Sequence, residues 1–169
     1  MKKLIFLCFF ICGVSVLFCQ NALENDPVVG YWVSKDDKTG EYTGGWKMWI
    51  ENGKLLGTSI SVPGKDETVL ATKAKKSYSD FPREGNVNEM PILGTPWLYG
   101  LSQKSSGIWA GGYIIDPTNG MRYQCKIVFH KADGKKYLVD TLEMRGSLLG
   151  IGLSQYWPKA TNAEAEGVR

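Results

Sequence analysis

The chain has 169 residues, with 20 basic, 17 acidic and a single histidine. Setting aside the first nineteen leaves 150 residues carrying 18 basic and 17 acidic side chains, enough for one domain and without the basic excess that nucleic-acid binding uses. Cys8, Cys12 and Cys19 fall in the set-aside stretch and Cys125 alone lies beyond it, which excludes an intrachain disulfide and a cysteine-rich zinc site from the remainder.

That first stretch differs from the rest. Lys2 and Lys3 precede an uncharged, mostly apolar run from Leu4 to Phe18. The run is short for a membrane span, which takes about 20 residues, and no basic stop-transfer cluster follows. It predicts a signal peptide over 1–19 and an exported protein of the periplasm or cell envelope. Cys19 ends an ordinary cleavage site, and it is also the candidate lipidation site of a degenerate lipobox, the one route to a membrane anchor.

Short runs of strand type follow, separated by turn residues. Val28 to Ser34 predicts the first strand, and Trp46 to Ile50 and Lys54 to Val62 predict a hairpin about Asn52-Gly53. Residues 63–90, interrupted by Pro63, Gly64, Pro82 and Gly85, read as a long surface loop of the kind that carries function or motion. Strands are predicted over Ile92 to Leu101 and Gly107 to Ile115, then an Asp116-to-Gly120 turn, then Met121 to His130 with Tyr123, Cys125, Ile127 and Phe129 on one face. Tyr137 to Arg145 and Ile151 to Trp157 are the last strands predicted, joined by a connector over 147–150. The small polar residues of 159–169 predict a disordered tail. About eight strands joined by hairpins make an all-β, antiparallel up-and-down barrel over 26–158, the arrangement that leaves no open edge.

Several motifs resemble one bacterial exported family, the domain of unknown function 2147. They are Asp26-Pro27-Val28-Val29-Gly30-Tyr31-Trp32, Ile92-Leu93-Gly94, the run from Trp109 to Gly120, Tyr123-Gln124-Cys125-Lys126, Arg145-Gly146-Ser147-Leu148-Leu149-Gly150 and Gln155-Tyr156-Trp157. Two features of the family are missing here: an arginine common at the position of Leu153, and a cysteine pair in the loop matching 77–90. The resemblance implies a lipocalin-like barrel and no established activity.

No catalytic constellation, metal site or cofactor motif stands out. His130 reads as a surface residue, Cys125 as a small core thiol and Asp116 as a turn-former. The aromatic residues either fill the barrel or line a pocket. Trp97, Tyr99, Trp109, Tyr123 and Gln155 are the ligand-binding candidates, for a small apolar or amphipathic molecule. Gly30, Trp32, Asp116, Pro117, Asn119, Gly120 and Trp157 are expected to be structural, with Trp32 and Trp157 meeting at the barrel's seam. The functional expectation is a non-enzymatic envelope protein. The alternative is a protein–protein interaction module that docks an envelope partner through residues 63–90. A membrane-embedded barrel is disfavoured by the lack of sustained apolar alternation.

Overall fold

The computed structural model describes residues 25–36 and 38–168, so Cys19 and the predicted signal peptide lie outside the described residues. Eight strands follow in chain order: β1 (Gly30–Lys35), β2 (Tyr42–Glu51), β3 (Lys54–Ser61), β4 (Leu98–Ser105), β5 (Ile108–Ile115), β6 (Arg122–His130), β7 (Thr141–Leu148) and β8 (Ile151–Ala160). Each pairs antiparallel with its sequence neighbour and β8 returns to β1, closing an up-and-down barrel. This is the predicted architecture.

Register separates the inner from the outer wall, because directly opposed residues share a face and the side-chain period is two. Trp32 opposes Trp46, Ile127 opposes Met144, and Leu142 opposes Trp157. All of these are buried, so this is the inner face. Val33, Lys47, Lys126 and Arg145 face outward.

The seam is short. β1 and β8 are paired only at Tyr31–Ala160 and Trp32–Lys159. The next residue back along β8 is Pro158, which has no N–H to give to the ladder. Residues 151–157 therefore pair only with β7. Trp32 and Trp157 do not stack on one another as expected: Trp157 stacks on Trp46 at 4.9 Å, and Trp32 meets the edge of Phe129 at 6.3 Å. The seam register sets Lys159, not Trp157, opposite Trp32.

Three expectations need correction. β4 starts at Leu98 and not Ile92, because 91–97 folds back with Trp97 donating to the Ile92 carbonyl at 2.7 Å. β7 runs from Thr141 through Leu148 and not from Tyr137 to Arg145; Asp133 caps the residues before it, accepting from the Lys135 and Tyr137 amides. The 147–150 connector is thus reduced to the two-residue turn Leu149-Gly150, since Leu148 opposes Ile151.

The polar tail is also ordered up to residue 168. After β8, the helix α1 (Asn162–Glu166) is held by a capping box between Thr161 and Glu164. Ala165 and Val168 are buried against Val33 on the outer wall. The Ser61 hydroxyl donates to the Ala165 carbonyl, and a Cβ on Gly45 would lie 1.8 Å from that same oxygen. Glycine at 45 is what lets the helix seat.

The segment 62–97 is not a loose surface loop. Ala71, Phe81, Val87, Met90 and Ile92 are buried in the main core. Phe81 packs edge-on against Tyr99 at 5.2 Å. Arg122 straps the segment down, its guanidinium lying 3.9 Å from the Tyr78 ring and 4.0 Å from the Tyr113 ring, with Asp80 paired to it at 2.8 Å.

Candidate functional site

An up-and-down barrel has two distinct ends. One carries the β2–β3, β4–β5 and β6–β7 connections; the other carries β1–β2, β3–β4, β5–β6 and β7–β8.

The first end is sealed by the segment before β1. Asp26 is 4% exposed and its carboxylate accepts from Gln103 Nε2 at 2.7 Å, the Gly107 amide at 3.0 Å, Trp109 Nε1 at 3.2 Å and the Val28 amide at 3.1 Å. Trp32 Nε1 in turn donates to the Val28 carbonyl at 2.9 Å. Four N–H donors converging on one carboxylate compensate its removal from water. Asp26 escaped the sequence reading because a lone acidic residue ahead of a strand carries no sign of its distant partners.

Beside this end, on the outer wall, His130 bonds Glu143 at 3.1 Å and stacks on Tyr137 at 4.5 Å. His130 is half-covered, less exposed than the surface reading implies. Ser154 donates to the other Glu143 oxygen at 2.8 Å. Burial alone would raise the Glu143 carboxyl, but the hydrogen bonds from Ser154 and His130 outweigh it and hold the group below its ordinary range. The serine hydroxyl donates to the carboxylate and not to the imidazole, so His130 is not placed to take its proton. Cys125 is buried, and burial pushes its thiol far above the ordinary value, away from nucleophilic thiolate.

The five ligand candidates divide. Trp109 is fully buried at the sealed end and bound to Asp26. Trp97 and Tyr99 are buried on the outer side, beneath the strapped 62–97 segment. These three are walls of the molecule. Tyr123 and Gln155 remain partly exposed on the inner face toward the second end. Tyr123 contacts Met121 sulfur at 3.4 Å and Gln155 accepts from Trp157 Nε1 at 3.1 Å.

Of the structural candidates, Asp116 holds its own turn, accepting from Thr118 at 2.8 Å and from Asn119 Nδ2 at 2.7 Å. Pro117 lies inside that turn, and Asn119 accepts from the Met121 amide at 2.8 Å. Gly120 lies against the Lys73 backbone. Gly30 opens β1 at φ 126°.

At the second end the inner face is bare. Ile151 and Leu153 share a face with buried Trp157, yet they are 82% and 81% exposed. Across from them lie Gly146, opposite Cys125, and Gly112, also opposite Cys125. Gly146 leaves its part of the inner face unfilled, whereas at Gly112 the β4 backbone lies where a side chain would begin, 2.2 Å from a Cβ. Tyr123, Met144, Gln155 and Leu153 share the inner face at this end. Two open troughs on the outer wall, about 930 and 430 Å3 in volume, flank α1. None of the five ligand candidates borders them.

The solved structure of protein HP1028 from the human pathogen Helicobacter pylori, which belongs to the lipocalin family, resembles this barrel. The TM-score is 0.61 at 14% identity, over 83% of this chain and 88% of that one. At that identity the likeness shows the fold. No curated protein matches the chain. The sequence profile of one bacterial family spans residues 30–159, and the chain accordingly belongs to that family, described as "uncharacterized protein conserved in bacteria", DUF2147.

Proposed function

We propose that the protein is an exported, non-enzymatic barrel that takes a small amphipathic ligand at its open mouth. One observation supports the reading: Ile151 and Leu153 share the inward face with buried Trp157, on the stretch of β8 that pairs only with β7, and are more than four-fifths exposed. Apolar side chains on that face are normally covered by the opposite wall or by a bound molecule. Here Gly146 leaves room for the second, since a Cβ there would meet only Tyr123. Tyr123 and Gln155 supply polar handles just inside. Outward charges at Lys47, Lys126 and Arg145 argue for a barrel in water and against one embedded in lipid. The short apolar segment behind Lys2 and Lys3 supports export.

The test is native mass spectrometry of the protein purified from its own cell envelope, beside a Gly146→Leu variant. A Cβ at 146 meets only Tyr123 at ordinary distance, so a side chain starts there without a backbone clash and obstructs the inner face, with a melting curve as the check on folding. The expected result is a bound molecule on the wild type that is missing from the variant. A bare wild-type mass, with no thermal shift from acyl amphiphiles, would overturn the reading.

A further inference from the structure

The barrel has two hairpin turns of the same build. In one, Asn52 at φ 51° is followed by Gly53 at φ 71°; in the other, Leu149 at φ 51° is followed by Gly150 at φ 84°. Positive φ at both central positions suits Asn-Gly, whose short polar side chain tolerates the left-handed region. Leucine does not belong there. A bulky residue at positive φ strains the backbone, and Leu149 is also 96% exposed. Folding therefore disfavours this residue twice over.

Its neighbours share its character. Leu148, Ile151 and Leu153 surround it and Met121 lies on the adjacent β5–β6 connection, all exposed. Across residues 117–128 and 144–157 the ionisable groups of charged type are Arg122, Lys126 and Arg145, with no Asp or Glu. Lys126 and Arg145 oppose each other across β6 and β7, and Arg145 reaches over the hairpin backbone at Gly152. Lys73, at the start of the Lys73, Lys75, Lys76 cluster, abuts Gly120 from the other side. Of the carboxylates beside these stretches, Asp80 is engaged by Arg122, Asp116 by its own turn and Glu143 by Ser154 and His130.

We propose that the β7–β8 hairpin tip docks the protein onto an anionic lipid bilayer. Leu149, Ile151 and Leu153 would enter the headgroup layer while Arg145, Lys126 and the lysine cluster face the lipid phosphates. Apolar insertion ringed by cations is the chemistry of interfacial attachment. Docking is shallow, because β8 pairs only with β7 over 151–157 and the hydrocarbon region excludes an unpaired strand edge. Docking stands whether or not the lumen holds a ligand.

Vesicle co-sedimentation of the full chain tests this, using phosphatidylethanolamine vesicles containing phosphatidylglycerol against pure phosphatidylcholine. Leu149→Asn should weaken partition onto the anionic vesicles roughly tenfold, the scale of one partly inserted leucine, with a melting temperature unchanged or raised. Arg145→Gln should weaken partition onto the anionic vesicles alone. Three results would overturn the proposal. Equal partition of Leu149→Asn and wild type would mean that other residues hold the lipid. A lowered melting temperature for that variant would mean that Leu149 serves the fold. Concentration-dependent self-association without vesicles, abolished by Leu149→Asn, would mean that a second copy covers the tip.

Discussion

The two ends of this barrel solve the same problem in opposite ways. At one, a buried carboxylate gathers four N–H donors and a tight Asn-Gly turn closes β2 onto β3. At the other, a Leu-Gly turn of the same shape carries bare apolar side chains, and inward residues lack a covering wall. At the first end the buried Asp26 carboxylate is fully paired and the Asn52-Gly53 turn residues match their dihedral angles. The second sets leucine where the dihedral angles suit asparagine and leaves apolar side chains uncovered. Departures from stability that cluster in one place mark where a molecule meets something else.

The sealed end should carry most of the energetic difference. Asp26→Ala leaves buried donors at Gln103, Gly107 and Trp109 without an acceptor and should cost about 3 kcal/mol in chemical denaturation, whereas Ile151→Ala at the open mouth should stay within about 0.5 kcal/mol. Comparable losses at both sites would erase the distinction.

Exchanging the turn residues gives a smaller effect of predictable sign. Asn52→Leu should destabilise by about 1 kcal/mol and Leu149→Asn should stabilise by a similar amount, both read as shifts in denaturation midpoint. Equal signs would show that dihedral strain does not distinguish the turns.

The smallest effect is electrostatic. The Glu143 carboxyl is held below its ordinary value near 4.5 by Ser154 and His130, which outweigh burial. A lowered folded-state value means that the contribution to stability is whole above the unfolded value and disappears as pH falls through the lowered one. Melting curves should therefore show the wild type more stable than Glu143→Gln at pH 5 and above, with the gap closing toward pH 3. A gap that widens on acidification would reverse the assignment.

The barrel itself was legible because its strands announce themselves: alternation from Tyr123 to Phe129, Asn52-Gly53 between two apolar runs, and the Asp116-to-Gly120 turn all act through near neighbours. What the sequence hid is long-range. Ala71, Phe81, Val87 and Met90 read as scattered apolar residues in a polar loop, since their partners lie on strands far along the chain. Leu149-Gly150 hid because leucine is no turn residue, so two further strand residues were taken for a connector. The polar 159–168 stretch concealed a helix whose burial rests on two small side chains, Ala165 and Val168. Four of the five ligand candidates are aromatic, and a wealth of rings does not tell a wall from a pocket: Trp97, Tyr99 and Trp109 are buried, while Tyr123 and Gln155 are partly exposed on the inner face.

The short seam bears on how the molecule assembles. Seven of the eight ladders join sequence neighbours and can zip as the chain lengthens, but the eighth joins Tyr31 and Trp32 to Lys159 and Ala160. That step gathers residues from nearly opposite ends of the described chain, which makes it the slowest to find its partner. It is then fastened from outside when Ala165 and Val168 settle on Val33. Until that latch engages, the nascent sheet has two raw borders, and any chaperone guarding it would have to recognise β1 and β8 before they find each other.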